Sequence, residues 1–171
     1  VQDIALMYIT NVGLIVSIAA LIFTCVIILI VPSLQNLSGK LTFGLSLSLS
    51  VAQLVSILSG AFAESYIVCK VVAALQHFSW LSAFTWMNSY AVSMTRMFMH
   101  VSYFIQSVTP KFSPYVIWCI TLPVSIMICT VSLDVVGTFV IYGDTADGVC
   151  WIPRSDILLV SFMCPLAALL L

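Results

Sequence analysis

Charge is what this sequence has least of. Only 6% of its residues are Asp, Glu, Lys or Arg, against about a quarter in a soluble domain. That shortage excludes an ordinary water-soluble fold. A formal net charge of −1 also excludes the basic surface that nucleic acid or another polyanion would require. Histidine is scarce as well, with His77 and His100 about six helical turns apart on one predicted helix. Metal chemistry needs clustered His, Cys or carboxylate ligands, and no such cluster is visible. Serines are everywhere, but nothing positions one against a histidine. Neither an enzyme nor a cofactor is therefore expected. The chain shows no starting Met, no signal-peptide pattern and no polar tail after Leu171, so a piece of a longer chain is expected.

What is present in excess is apolar. Hydrophobic residues make up 63% of the chain and the mean hydropathy is +1.23, which identifies an integral membrane protein. A helical crossing needs about 20 apolar residues, and the runs are of that size. The first predicted span covers about 7–31 and closes at Pro32. The second covers about 41–62. Its alternating serines (GLSLSLSVAQL) imitate a barrel strand, yet a membrane strand turns after about 10 residues and this run does not. Serine on several faces suits close helix packing, and Gln53 demands an interhelical partner. The third span, about 69–99, is long enough to tilt or to project past the bilayer. The fourth covers about 114–136, with Ser113 as its cap, Pro114 in its first turn and Pro123 inside it. After a polar loop, 156–171 begins a fifth span that is too short to complete a crossing.

The third span organises the rest. At about 100° per residue, His77, Leu81, Phe84 and Asn88 share one stripe, flanked by Trp80 and Met87. Trp86 points the opposite way, where plain packing explains it. Lipid cannot satisfy His or Asn, so the stripe is expected to face other helices or a watery cavity. His77 reads most simply as a buried polar packer. Loops one and three carry Lys40, Lys111 and the helix-end Arg96, against Lys70 and Arg154 in loops two and four. By the positive-inside rule this puts the N-terminus outside. All six carboxylates then lie on the N-terminal side. Cys69 and Cys150 share that face, where an oxidising exterior would let them pair. The glycosylation triplet Asn36-Leu37-Ser38 falls on the other face and is read as inert.

These residues resemble the seven-helix receptors of the adhesion and secretin-like class. ALMYITNVG (5–13) is similar to that class's first-helix opening, and LSLSLSVAQL (45–54) to its second helix. Cys69 with LQHFSWLSAFTWM (75–87) resembles the third-helix signature. GVCWI (148–152) looks like the second extracellular loop, and FMCPLA (162–167) like the fifth helix. No Asp-Arg-Tyr follows the third span, so the rhodopsin-like class fits poorly. Departures from the adhesion pattern are Tyr90 in place of a Glu, Ser93-Met94-Thr95 in place of His-x-Tyr, and Thr121-Leu122-Pro123 after Trp118. The Asn88 and Arg96-Met97-Phe98 pattern looks like invertebrate or very large adhesion receptors.

The resemblance implies an all-α seven-transmembrane bundle, of which helices one to five are here, in the plasma membrane. It implies a Cys69–Cys150 disulfide, with Trp151 hung over an agonist cavity. Phe84 and Met87 would stand beneath the agonist, with His77 and Trp80 as further pocket candidates. The agonist implied is a hydrophobic peptide, tethered or extracellular. A heterotrimeric G protein would meet the other face near Arg96, Tyr103 and Phe104, or those aromatics would lie along membrane lipid. The rival reading is a multi-pass transporter or channel. It would need an ionisable group near mid-membrane, and Asp134, near a helix end, is the sole candidate.

Overall fold

A computed structural model describes residues 2–59, 66–102, 111–136, 142 and 150. The expected fifth helix over 156–171 and the side chains of Trp151, Tyr103 and Phe104 lie outside the described residues. Within them the chain forms four helices: α1 (Gln2–Ile30), α2 (Leu37–Ser59), α3 (Tyr66–Ser102) and α4 (Ser113–Val135). All four are long and apolar enough to cross a membrane. Each packs on its neighbour in sequence, α1 on α2, α2 on α3 and α3 on α4. The third helix lies deepest. Its apolar window is 44% buried, against 6% for α1, whose wide outer face of Leu, Ile, Val and Phe side chains suits lipid.

Local chemistry sets the boundaries. Pro32 forces the residue before it out of helical geometry, and Val31 is extended at φ −98°, ψ 102°. A 3-10 turn over Pro32–Leu34 follows. The Gln35 side-chain amide then donates to the Leu29 carbonyl at 3.0 Å, closing the end of α1. Asn36 Oδ1 accepts the Gly39 N–H at 2.8 Å, which is how an N-cap satisfies a first-turn donor. The second helix therefore starts at Leu37, earlier than the apolar run alone implies. Gly39 is required there because any Cβ would collide with the Leu34 carbonyl. At α4 the expected Ser113 cap is corrected: Phe112 occupies the cap position with helical backbone angles, and no side chain caps the turn. Phe112 stacks on Trp86 of α3, with ring centroids 6.4 Å apart. Pro123 sits inside α4 without ending it.

The second helix accommodates its many serines because their hydroxyls find backbone acceptors. Ser50 and Ser56 donate to the carbonyls of Ser46 and Ala52, both at 2.8 Å, the usual back-bonding of mid-helix serine. Polar side chains then stitch the bundle. Gln53 donates to Ser17 of α1 at 2.9 Å, and Gln76 of α3 donates to Ser56 of α2 at 3.0 Å. Trp86 lies opposite the His77 stripe and packs against α2. A Cβ built on Gly44 would sit 2.7 Å from atoms of the Trp86 ring. Glycine at that position is what lets the indole lie against α2.

Candidate functional site

One end of the bundle gathers chemistry from three places. The first turns of α3 supply Cys69 and Lys70, and the last turns of α4 supply Thr130 and Asp134. The segment after α4 supplies Tyr142 and Cys150. Cys69 and Cys150 are joined in a disulfide, with Cα atoms 5.0 Å apart, inside the 4.4–6.8 Å window such bonds need. Around the bridge, Val72, Ala73 and Tyr142 complete an apolar cluster, with Met127 packed against it.

Tyr142 is the residue that makes this end a unit, and it is 1% exposed. Its hydroxyl lies 2.8 Å from His77 Nδ1, 3.0 Å from Thr130 Oγ1 and 3.7 Å from Met127 Sδ. A phenol has one proton and two lone pairs; towards Met127 Sδ it can only donate, whereas towards His77 and Thr130 it donates or accepts. Burial pushes the Tyr142 phenol up from its ordinary range, with the Asp134 charge adding to the effect and the Thr130 hydrogen bond opposing it. The phenol therefore keeps the proton it donates. The Tyr142 backbone N–H reaches Asp134 Oδ1 at 3.4 Å, and Asp134 Oδ2 pairs with Lys70 Nζ at 2.6 Å. The carboxylate side chain is 3% exposed and the lysine 35%. A charge so buried is expensive unless paired and hydrogen-bonded, and here it is both. Asp134 thus acts as a fastener between α3, α4 and the loop.

The sequence-derived candidates are distributed as follows. His77 is fully buried and bonded to the loop tyrosine. Trp80 and Phe84, one and two turns further along, are half-buried with ring centroids 6.3 Å apart. Met87 is 46% exposed, on the open side of α3. Arg96 stands at the far end of the helix, its guanidinium donating to the Tyr115 hydroxyl at 3.4 Å and lying 5.9 Å from that ring. Trp151, Tyr103 and Phe104 are not among the described residues. No three His, Cys, Asp or Glu side chains gather as metal ligands among the described residues. Sequence reasoning missed Tyr142, Thr130 and the pairing of Lys70 with Asp134. An aspartate near the end of an apolar span was the available signal, because such a charge must find a partner. Tyr142 carried no signal of its own.

The comparisons with known proteins agree with this architecture. The family model described as 7 transmembrane receptor (Secretin family) matches residues 3–171. Human adhesion G protein-coupled receptor E3 is 27% identical over 168 residues, covering 98% of this chain and 25% of that protein. Adhesion G protein-coupled receptor E2 of Macaca mulatta is 34% identical over 86 residues, which is 50% of this chain and 10% of the relative. Human cadherin EGF LAG seven-pass G-type receptor 1 is 28% identical over 170 residues, 99% of this chain and 5% of its own. The chain spans between 5% and 36% of the length of the curated relatives that match it from end to end. A helical membrane bundle whose third helix is bridged to the loop after the fourth, matched along nearly all its residues, is an adhesion-type member of the secretin family of seven-transmembrane receptors.

Proposed function

We propose that this chain is the membrane part of a G-protein-coupled signalling receptor of the plasma membrane, switched by an apolar peptide on its disulfide-bonded face. The observation that carries the reading is the doubly fastened loop. A disulfide and the Lys70–Asp134–Tyr142–His77 network hold Cys150 and Tyr142 against the start of α3. Disulfides persist in oxidising surroundings, so this end is extracellular and the N-terminus of α1 lies outside. Tyr142 and Cys150, held in this way, mark the rim of the proposed site, and a hydrophobic segment binds best to a preformed apolar site with few polar groups. Trp80, Phe84, Met87 and Trp151 are the residues proposed to line it, with His77 setting the rim from behind through Tyr142. Arg96, Tyr103 and Phe104 are proposed to face the G protein at the opposite end. The agonist is either free in the medium or carried by the chain that precedes α1.

The test is guanine-nucleotide exchange on purified heterotrimeric G proteins, with the full-length receptor in membranes and synthetic peptides copied from the segment before α1. Peptide-dependent exchange above that of empty membranes is expected. Solute flux without any exchange would replace the receptor reading with a transporter.

A further inference from the structure

The end of the bundle away from the disulfide has its own chemistry. Antiparallel packing brings together the start of α2, the end of α3 and the start of α4, and each contributes one cation. Lys40 Nζ lies 5.9 Å from the centre of the Phe112 ring. Arg96 lies 5.9 Å from the Tyr115 ring and donates to its hydroxyl. Lys111 immediately precedes Phe112, and all three cations are exposed. Three of the five Lys and Arg residues of the chain thus converge on the first turn of α4. No Asp or Glu occurs in 31–59 or 88–133, so nothing acidic on those stretches neutralises them. The turn itself has no side-chain cap, and its helix dipole adds positive potential. Beside it a cleft of about 330 Å³ runs between α3 and α4, lined by Val92, Pro114 and Trp118 together with the polar Asn88, Ser89, Arg96 and Tyr115.

We propose that this corner binds the headgroup of an anionic phospholipid of the inner leaflet, with Lys40, Arg96 and Lys111 on its phosphates and part of an acyl chain along the α3–α4 cleft. Charge complementarity selects the occupant. Three cations with no counter-charge exceed what a singly charged headgroup neutralises, whereas each phosphomonoester brings about −1.5 to −2 charges. A phosphorylated inositol lipid therefore fits better than a serine lipid. Cations beside the cytoplasmic surface attract anionic lipid in this way, and the aromatic rings of Phe112 and Tyr115 hold two of them in place. The inference rests on the proposed orientation, with loop one in the cytosol.

The experiment uses the full-length receptor in phosphatidylcholine nanodiscs and reads binding of a fluorescent phosphatidylinositol bisphosphate. Saturable binding that phosphatidylserine competes for weakly and phosphatidylcholine does not is expected. At about fivefold per cation, K40Q/K111Q weakens it by roughly twenty- to thirtyfold, while K40R/K111R retains it. Equal competition by phosphatidylcholine would overturn the proposal, as would unchanged binding by K40Q/K111Q. Equal competition by soluble inositol trisphosphate would overturn the assignment to a lipid. If K40Q/K111Q does not fold, the salt dependence of the wild type decides: an affinity indifferent to salt also overturns it. Impermeant thiol labelling of a cysteine placed in loop one of intact cells reports orientation separately. Labelling there would refute the receptor topology, whatever the lipid result.

Discussion

The Tyr142 hydroxyl sits 2.8 Å from His77 Nδ1, so the histidine that begins the third-helix stripe is engaged by a residue that follows α4. A side chain fully buried behind a tyrosine acts through the residue it holds in place. Replacing Tyr142 with Phe deletes the hydroxyl while keeping the ring. Losing a buried hydrogen bond of this kind costs about 1–3 kcal/mol, and Tyr142→Ala adds a cavity, for about 3–5 kcal/mol in all. Thermal unfolding in detergent should rank wild type above Phe above Ala. Identical midpoints for wild type and Tyr142→Phe would show that the hydroxyl contributes nothing.

The ion pair makes a different prediction, because its two partners differ in exposure. Lys70→Ala withdraws the cation from a nearly buried carboxylate, whereas Asp134→Ala leaves a lysine that reaches water. Breaking a fully buried pair costs about 3–5 kcal/mol. The partial exposure of Lys70 lets solvent screen the charge, which brings the expectation to about 1–3 kcal/mol. The double variant K70A/D134A should be more stable than K70A alone. A double-mutant cycle with no coupling energy would remove the pair from the fastening.

For the disulfide, Cys69→Ser, Cys150→Ser and the double variant should all lose the same stability. The bridge spans a sequence separation of 81, which corresponds to about 3–5 kcal/mol in the chain-entropy account. Surface expression and unfolding temperature both report it. A double variant as stable as wild type would mean that the hydrogen-bond network alone holds the loop.

Two tryptophans should separate signalling from folding. Trp151→Ala is expected to blunt the response to peptide while surface expression stays intact. Trp86→Ala is expected to reduce expression, since it empties the space between Gly44 and Phe112 at a cost of about 3 kcal/mol. A normal peptide response in Trp151→Ala would end its assignment to the agonist site.

Most of the fold was legible because long apolar runs between prolines and polar loops have few solutions in a membrane. Hydropathy located the four helices within a few residues. The helix starts were harder, since α2 is capped by the Asn36 side chain and α4 begins at Ser113 with no side-chain cap, neither of which periodicity registers. The site was legible only in part. The Cys-Trp loop and the third-helix pattern led to Cys69 and Cys150, and the helical wheel led to His77. Tyr142 was invisible because its role depends on how a loop folds back, and no spacing rule links residue 142 to residue 77. Lys70 and Asp134 each stand out in the sequence by charge, but their pairing follows only from the adjacency of the start of α3 and the end of α4.

The fit of the Trp86 indole against Gly44 also bears on how such a receptor tolerates change over time. With ring atoms 2.7 Å from where a Cβ would stand, even Gly44→Ala forces a rigid aromatic to move, and a larger residue at 44 has no room at all. A chain that acquired bulk at position 44 would first have to shrink position 86, and a chain that lost the indole would be free to fill position 44. The two sites are therefore bound to drift as a pair, exchanging volume across the α2–α3 seam. A swap made in one step, G44A with W86F, should restore expression that each single exchange lowers.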